Sequence, residues 1–151
     1  MIVNYPEGLP YPLKEGNSHE PVQTFIRSEL TTGRAIQRRK YSGVPEYVNV
    51  YWQFSDSEAQ LFMSWFRDEL DDGASWFKFP TRTPSGTMEY IARFTQMYTY
   101  TISGCGWQYR ARIELRERPI LIPYGWSKYA PEYILHSDLL DIAMNQKWPA
   151  A

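Results

Sequence analysis

The chain has 151 residues and a formal net charge of −1, and charged side chains make up 22% of it. This length suits one domain with a sizeable core, and the near-neutral charge argues against a polycation that binds nucleic acid over its whole surface. The single cysteine, Cys105, excludes an intrachain disulfide framework and a cysteine-based zinc site.

The hydropathy of the chain also bears on its cellular compartment. No apolar stretch approaches the length of a membrane span, and no signal-peptide pattern opens the chain. We therefore expect a soluble protein made in the cytosol, without a membrane segment. Aromatic residues are unusually frequent at 17%, with twelve tyrosines and six tryptophans. Such enrichment suits protein interfaces, although a small β-rich core would also use aromatics as filler.

Residues 1–18 predict an extended N-terminal arm. Pro6, Pro10 and Pro12 remove backbone donors and fix φ, which disfavours a core strand. The segment is nevertheless too apolar for a plain solvated tail. Docking on its own domain, docking on a neighbouring molecule, and disorder all remain open for it. The arm residues that could anchor it at an interface are Tyr5, Leu9 and Tyr11.

A hairpin follows, with strands predicted at residues 22–30 and 34–41 on either side of Thr31-Thr32-Gly33. Its second strand is basic and could face phosphates or an acidic partner. The alternative is a solvated hairpin balanced by the acidic side chains of the helix that comes next. The basic residues concerned are Arg34, Arg38, Arg39 and Lys40.

The segment from Tyr47 to Pro80 predicts a strand, a capped helix and a second strand. Apolar side chains alternate through residues 48–54, as in a strand with one buried face. Ser55 and Glu58 form a capping-box pattern, and Gly73 is the expected left-handed residue after a helix at about 55–71. The aromatic run at residues 76–80 predicts the second strand.

The helix is predicted to have two apolar surfaces. One narrow arc faces the core and contains Ala59, Phe62, Met63, Phe66 and Leu70. Leu61 and Trp65 lie beside this arc and are adjacent to each other. They could be covered by the chain's own arm or by the next subunit, because an exposed apolar pair invites association.

Further strands are predicted at residues 88–94, 97–102 and 107–115, after a loop at 80–86. The last strand is strictly alternating, and its polar face places Arg110 and Arg112 in water or against a charged partner. Residues 120–126 look extended and apolar, and Ser137 could cap a short helix through Asn145. Trp126 and Trp148 are the interface candidates of this C-terminal segment.

Sequence motifs for catalysis are missing: no glycine-rich phosphate loop, Gly-x-Ser-x-Gly or His-Glu-x-x-His is present. Cys105 and His136 are a conceivable nucleophile pair, but Cys105 sits between two glycines in a predicted turn. The carboxylates at residues 68–72 lack calcium-loop spacing and fit a solvated helix end better than a cation site. We therefore expect no catalytic activity, no cofactor, no metal and no small-molecule substrate.

One group of proteins shares this order of features. The basic hairpin ends in Arg38-Arg39, and a strand of pattern Val-x-Val-x-Trp-x-Phe follows at residues 48–54. The capped helix carries Trp65-Phe66, and Gly73-x-x-Trp76-Phe77-x-x-Pro80 comes after it. Over about residues 31–118 the chain resembles small minor virion proteins from the structural gene clusters of tailed bacteriophages. The resemblance implies a β-sandwich with one flanking helix, assembled as a ring in the tail, neck or tail tip. It therefore favours the next subunit as the cover of Leu61 and Trp65.

The sequence thus predicts an α+β, mainly antiparallel, sandwich-like domain of six to eight strands. It divides into an arm at 1–18, a domain at 19–118 and a C-terminal extension at 119–151. The predicted role is a virion subunit that contacts copies of itself and other tail or neck proteins, with DNA in the channel as a further candidate partner. The alternative is an aromatic-rich module that stacks sugar rings; a cell-wall enzyme has less support.

Overall fold

The fold is α+β and mainly antiparallel, as the sequence predicts, in the part of the chain that the computed structural model describes, residues 1–139. Two units are present, divided after Pro119. The division lies one residue from the predicted start of the C-terminal extension. Residues 1–18, predicted as an extended arm, belong to the first unit.

A seven-stranded sheet dominates the first unit. Six of its strands lie side by side, and the seventh, β8, pairs with β9. In spatial order they are β1 (Ile2–Val3), β6 (Trp76–Thr83), β7 (Gly86–Phe94), β9 (Gly106–Leu115), β5 (Glu46–Phe54) and β2 (Ser18–Pro21), with β8 at Thr99–Ser103. Two further strands, β3 (Phe25–Glu29) and β4 (Ala35–Arg39), form a separate hairpin.

The pair β5 and β9 is the centre of the sheet. It is antiparallel and runs from Glu46 opposite Leu115 to Phe54 opposite Trp107. Burial alternates strictly along β5, so the predicted period of two is confirmed. β9 alternates in the same way from Tyr109 onward, and its polar partners face away from the core.

The sheet bends around its core, which gives the sandwich-like arrangement. Trp52 of β5 and Phe79 of β6 have ring centroids 6.0 Å apart, although β9 and β7 separate their strands in the sheet. His19 of β2 also reaches across, with Nε2 3.2 Å from the carbonyl oxygen of Arg82. Its Nδ1 lies 2.8 Å from a carboxylate oxygen of the buried Glu46.

Helix α1 (Asp56–Asp68) closes the core, and its predicted capping box is confirmed. The Ser55 amide donates to Glu58 at 2.8 Å, and the Glu58 amide donates to the Ser55 hydroxyl. The predicted apolar arc is rotated, however. Met63 is exposed, whereas Trp65 is 3% exposed and packs into the core.

The predicted loop at residues 80–86 is also wrong, because β6 continues to Thr83 and β7 starts at Gly86. Pro80 is buried within β6 and lies opposite Glu89. β1 pairs with β6 only at Trp76 and Phe77. Beyond them no strand of the described residues pairs with this edge of β6. Pro80, which has no amide proton, therefore interrupts no hydrogen bond between strands.

Within residues 1–139 the C-terminal unit contains the short helices α2 (Trp126–Tyr129) and α3 (Pro131–Leu135). They agree with the short C-terminal helix of the predicted fold class, although they lie before its predicted start at Ser137. The predicted helix from Ser137 to Asn145 lies largely outside the described residues, and Trp148 lies wholly outside them. Ser137 itself donates a hydrogen bond from its hydroxyl to the carbonyl of Ile134 at 2.9 Å.

Candidate functional site

The N-terminal arm completes the core of its own chain. β1 pairs in parallel with β6, and Leu9 is buried in the main apolar cluster. The amide of Leu13 donates to the carbonyl of Tyr51 at 2.8 Å, which fixes the arm farther along. Of the three alternatives for the arm, the structure has the first, docking on its own domain.

Two interface candidates are therefore wrong, Leu9 and Trp65. The indole nitrogen of Trp65 donates to the carbonyl of Asn4 at 3.2 Å, and its ring meets Tyr5 edge-on at 5.7 Å. The arm, not a neighbouring subunit, covers this tryptophan. Tyr5 is itself half-buried, its hydroxyl donates to the carbonyl of Pro10 at 2.9 Å, and burial raises its pKa.

Other interface candidates do lie on the surface. Tyr11 and Leu61 are exposed, and Leu61 has no share in the core cluster that contains Trp65. Trp126 is exposed in the C-terminal unit, where its ring meets Tyr133 at an interplanar angle of 68°. These two exposed rings do not form the coplanar platform that the sugar-binding alternative calls for.

The β3–β4 hairpin leaves most of its surface in water. Its five residue pairs run from Phe25 opposite Arg39 to Glu29 opposite Ala35. Within residues 1–139 no backbone ladder joins it to the large sheet. Among its strand residues only Ile26 and Ala35 are partly buried. The hairpin is thus a projecting element of the first unit.

One surface of this hairpin combines apolar and basic side chains, and we call it the hairpin face. Because strand side chains alternate, Ile26 shares a face with its cross-strand partner Arg38, and Ile36 lies on the same side. Leu30 and Arg34 continue the alternation at the turn, where the Leu30 amide donates to the Arg34 carbonyl. The hairpin face is Ile26, Leu30, Arg34, Ile36 and Arg38.

Sequence reasoning found the basic residues of the hairpin but missed its apolar ones. The signal for Ile26, Leu30 and Ile36 is their even spacing about the Thr-Thr-Gly turn, which places all three on one side of the hairpin. The two remaining basic candidates are also exposed. Arg39 donates from Nε to the carbonyl of Tyr41 at 3.2 Å, and Lys40 lies over the Tyr41 ring at 5.2 Å.

The arginines of β9 have a different environment from those of the hairpin. Arg110 lies over the ring of Tyr51 at 5.3 Å. Arg112 lies over the ring of Tyr47 at 4.8 Å and forms a 2.8 Å ion pair with Glu20. Arg112 is thus already partnered within its own sheet. The six predicted basic residues therefore lie on or beside strands of two separate sheets.

A group of exposed carboxylates lies where α1 ends, and we call it the acidic corner. It consists of Asp68, Glu69, Asp71 and Asp72. Arg67 forms an ion pair with Asp68 at the surface, and this hydrogen bond lowers the pKa of the Asp68 carboxyl. Asp71 and Asp72 adopt positive φ values of 50° and 55°, so the chain turns sharply before Gly73.

The residues considered for chemistry are dispersed. Cys105 is exposed in the turn between β8 and β9, and His136 belongs to the C-terminal unit. His19 is occupied by Glu46 and the Arg82 carbonyl. Within residues 1–139 no three His, Cys, Asp or Glu side chains are placed to hold a metal ion. None of the helices in this range has the length and apolar character needed to cross a bilayer.

The C-terminal unit exposes many large apolar side chains of its own. They border an open concavity of about 710 Å³ whose lining includes Ile120, Ile122 and Ile134. The exposed members of the unit are Ile120, Leu121, Ile122, Tyr124, Trp126, Tyr129, Tyr133, Leu135 and Leu139. The hairpin also exposes large apolar side chains, Phe25, Leu30 and Ile36, and the region of β8 exposes Met97, Tyr100 and Ile102.

No family model matches the chain, and a search of curated proteins also found no match.

Proposed function

We propose that this chain is a structural subunit of a bacteriophage virion, in the tail or neck, such as a tail-completion, adaptor or tail-tip component. It acts by assembling with copies of itself into a ring and by contacting neighbouring virion proteins. The family resemblance over about residues 31–118 supports the virion setting. Assembly is supported by the distribution of exposed apolar side chains.

The observation that carries the proposal is the projecting hairpin. An isolated two-stranded hairpin is marginally stable in water, and its apolar side chains gain nothing from the core of their own chain. Ile36 is 57% exposed and Leu30 is 44% exposed on the same face. A neighbouring subunit that covers this face would bury these side chains and order the hairpin.

The C-terminal unit supports contacts to other virion proteins. Its exposed apolar surface includes Trp126 and Tyr129, which are residue types that often anchor interfaces. For an acidic partner or channel DNA, the hairpin is the better of the two basic surfaces. Its Arg34 and Arg38 form no ion pair with the described residues, whereas Arg112 on the sheet already pairs with Glu20.

Oligomeric state tests the proposal, by sedimentation velocity over a concentration series and by electron microscopy of the purified chain. We expect closed rings, and we expect Ile36→Asp to prevent them, because burying the new charge at an interface is unfavourable. Ile102→Asp is the matched control, since Ile102 is 77% exposed on β8 and outside the hairpin. A chain that stays monomeric at all concentrations and binds polysaccharide would contradict the proposal and favour the sugar-binding alternative.

A further inference from the structure

We infer that the hairpin face of one copy docks on the acidic corner of the next copy. The inference rests on the proposed self-assembly and adds which two surfaces meet. The partner is thus a second copy of this chain, and the contact is head-to-tail because the two surfaces are different. Repetition of such a contact gives a ring when the rotation closes.

The charges of the two surfaces are complementary. The hairpin face carries Arg34 and Arg38 and no carboxylate, and residues 22–41 as a whole contain five basic side chains and one acidic side chain. The acidic corner has four carboxylates, and only Asp68 forms an ion pair with a basic side chain of the described residues. The formal charge of the whole chain is only −1, so this separation of charge is local and leaves strong opposite patches.

The two surfaces also match in apolar character. Leu61 precedes Asp68 by seven residues, which places it two turns earlier on the same side of α1. It is 42% exposed. On the hairpin face, Ile36 lies between Arg34 and Arg38 on one strand, and Leu30 lies across from Arg34. Apolar and charged side chains therefore adjoin on this face, as Leu61 and Asp68 do on α1. Docking would therefore bury apolar side chains while it pairs the charges at their edge.

The two surfaces do not satisfy each other within one chain. No hydrogen bond or ion pair among residues 1–139 joins the hairpin to the acidic corner. Asp71 bonds locally with the Ser75 hydroxyl, and Arg39 bonds locally with Tyr41. The complementary patches are therefore available to different copies at the same time, as a ring requires.

Charge reversal with rescue tests this contact. The hairpin variant carries Arg34→Glu and Arg38→Glu, and the corner variant carries Asp68→Lys and Glu69→Lys. All four positions are exposed, and lysine is acceptable at the C-terminal end of a helix. Each variant alone should self-associate about tenfold or more weakly than the natural chain, because like charges then face each other.

An equal mixture of the two variants should assemble again. In the mixture, the new glutamates of the hairpin variant meet the new lysines of the corner variant, and the natural arginines of the corner variant meet the natural carboxylates of the hairpin variant. Both contacts pair opposite charges, so native mass spectrometry should show rings in which the two chains alternate. The matched control is Arg27→Glu with Arg39→Glu, which makes the same change of net charge on the opposite face of the same hairpin. It should weaken self-association far less than the hairpin variant does.

Three results would overturn the inference. They are a mixture that stays dissociated, a control variant that fails as completely as the hairpin variant, and a corner variant that assembles like the natural chain. In each case the natural chain still forms rings, so the proposed function stands and the hairpin docks elsewhere. A natural chain that never self-associates would remove both proposals.

Discussion

At the residue scale, Trp65 belongs to the core although the periodicity of its helix places it outside the predicted core-facing arc. It lies at the edge of the apolar arc of α1, yet Phe62, Phe77 and the arm surround it. A helical wheel measures only the angle on its own helix. The arm that widens the buried arc comes from residues about sixty positions earlier, so local spacing carries no signal of it.

We expect Trp65→Ala to destabilise the monomer rather than only its assembly. Removing a buried tryptophan leaves a cavity and typically costs about 3–5 kcal/mol. Chemical denaturation of the monomer measures the free energy of unfolding. Leu61→Ala is the control on the same helix, and because Leu61 is exposed its effect should stay within about 0.5 kcal/mol. Equal stability of the natural chain and Trp65→Ala would show that the arm does not cover Trp65.

At the element scale, the strands with regular alternation were predictable and those that depend on distant partners were not. The predicted strands at 47–54 and 107–115 match β5 and β9 because one face of each is buried along most of its length. β1 and β2 are short and take their structure from pairing with β6 and β5. Pro80 suggested a loop, and only the open side of β6 makes it acceptable within a strand.

We expect deletion of residues 1–10 to lower the stability of the first unit strongly. The deletion removes β1, the buried Leu9 and the backbone that covers Trp65. Burial of a leucine side chain alone contributes about 1.5–3 kcal/mol. The total loss should therefore exceed about 3 kcal/mol in the free energy of unfolding. Tyr11→Ala, at an exposed arm position, should have little effect in the same assay. An unchanged melting curve after the deletion would contradict docking of the arm.

At the scale of the whole molecule, the two units differ in where their apolar side chains lie. Every buried apolar residue of the core cluster falls between Leu9 and Leu115. The described part of the C-terminal unit has no buried residue in either short helix. Pro119 and the apolar run after it are the sequence features at the division between the two units. Sequence reasoning did not predict that the hairpin face is exposed, because that exposure depends on β3 and β4 forming a sheet separate from the large one.

We expect the chain truncated after Pro119 to fold on its own. All described members of its core cluster lie before Pro119, so one cooperative unfolding transition should remain, within about 1 kcal/mol of the full chain. Calorimetry of both chains at equal concentration tests this expectation. Loss of the cooperative transition would mean that residues after Pro119 contribute to the core of the first unit.

The pairing of β5 with β9 has a consequence for folding kinetics. Both edges of β5 need partners, and β9 is synthesised only after α1, β6, β7 and β8. The transition state must close this long segment, and loop-closure entropy makes such non-local pairing slow. Helix α1, with its own capping box, can form early but has little to pack against until then. During synthesis β5 therefore has only its short ladder with β2 until β9 emerges, and its apolar side chains are open to misassociation in that interval.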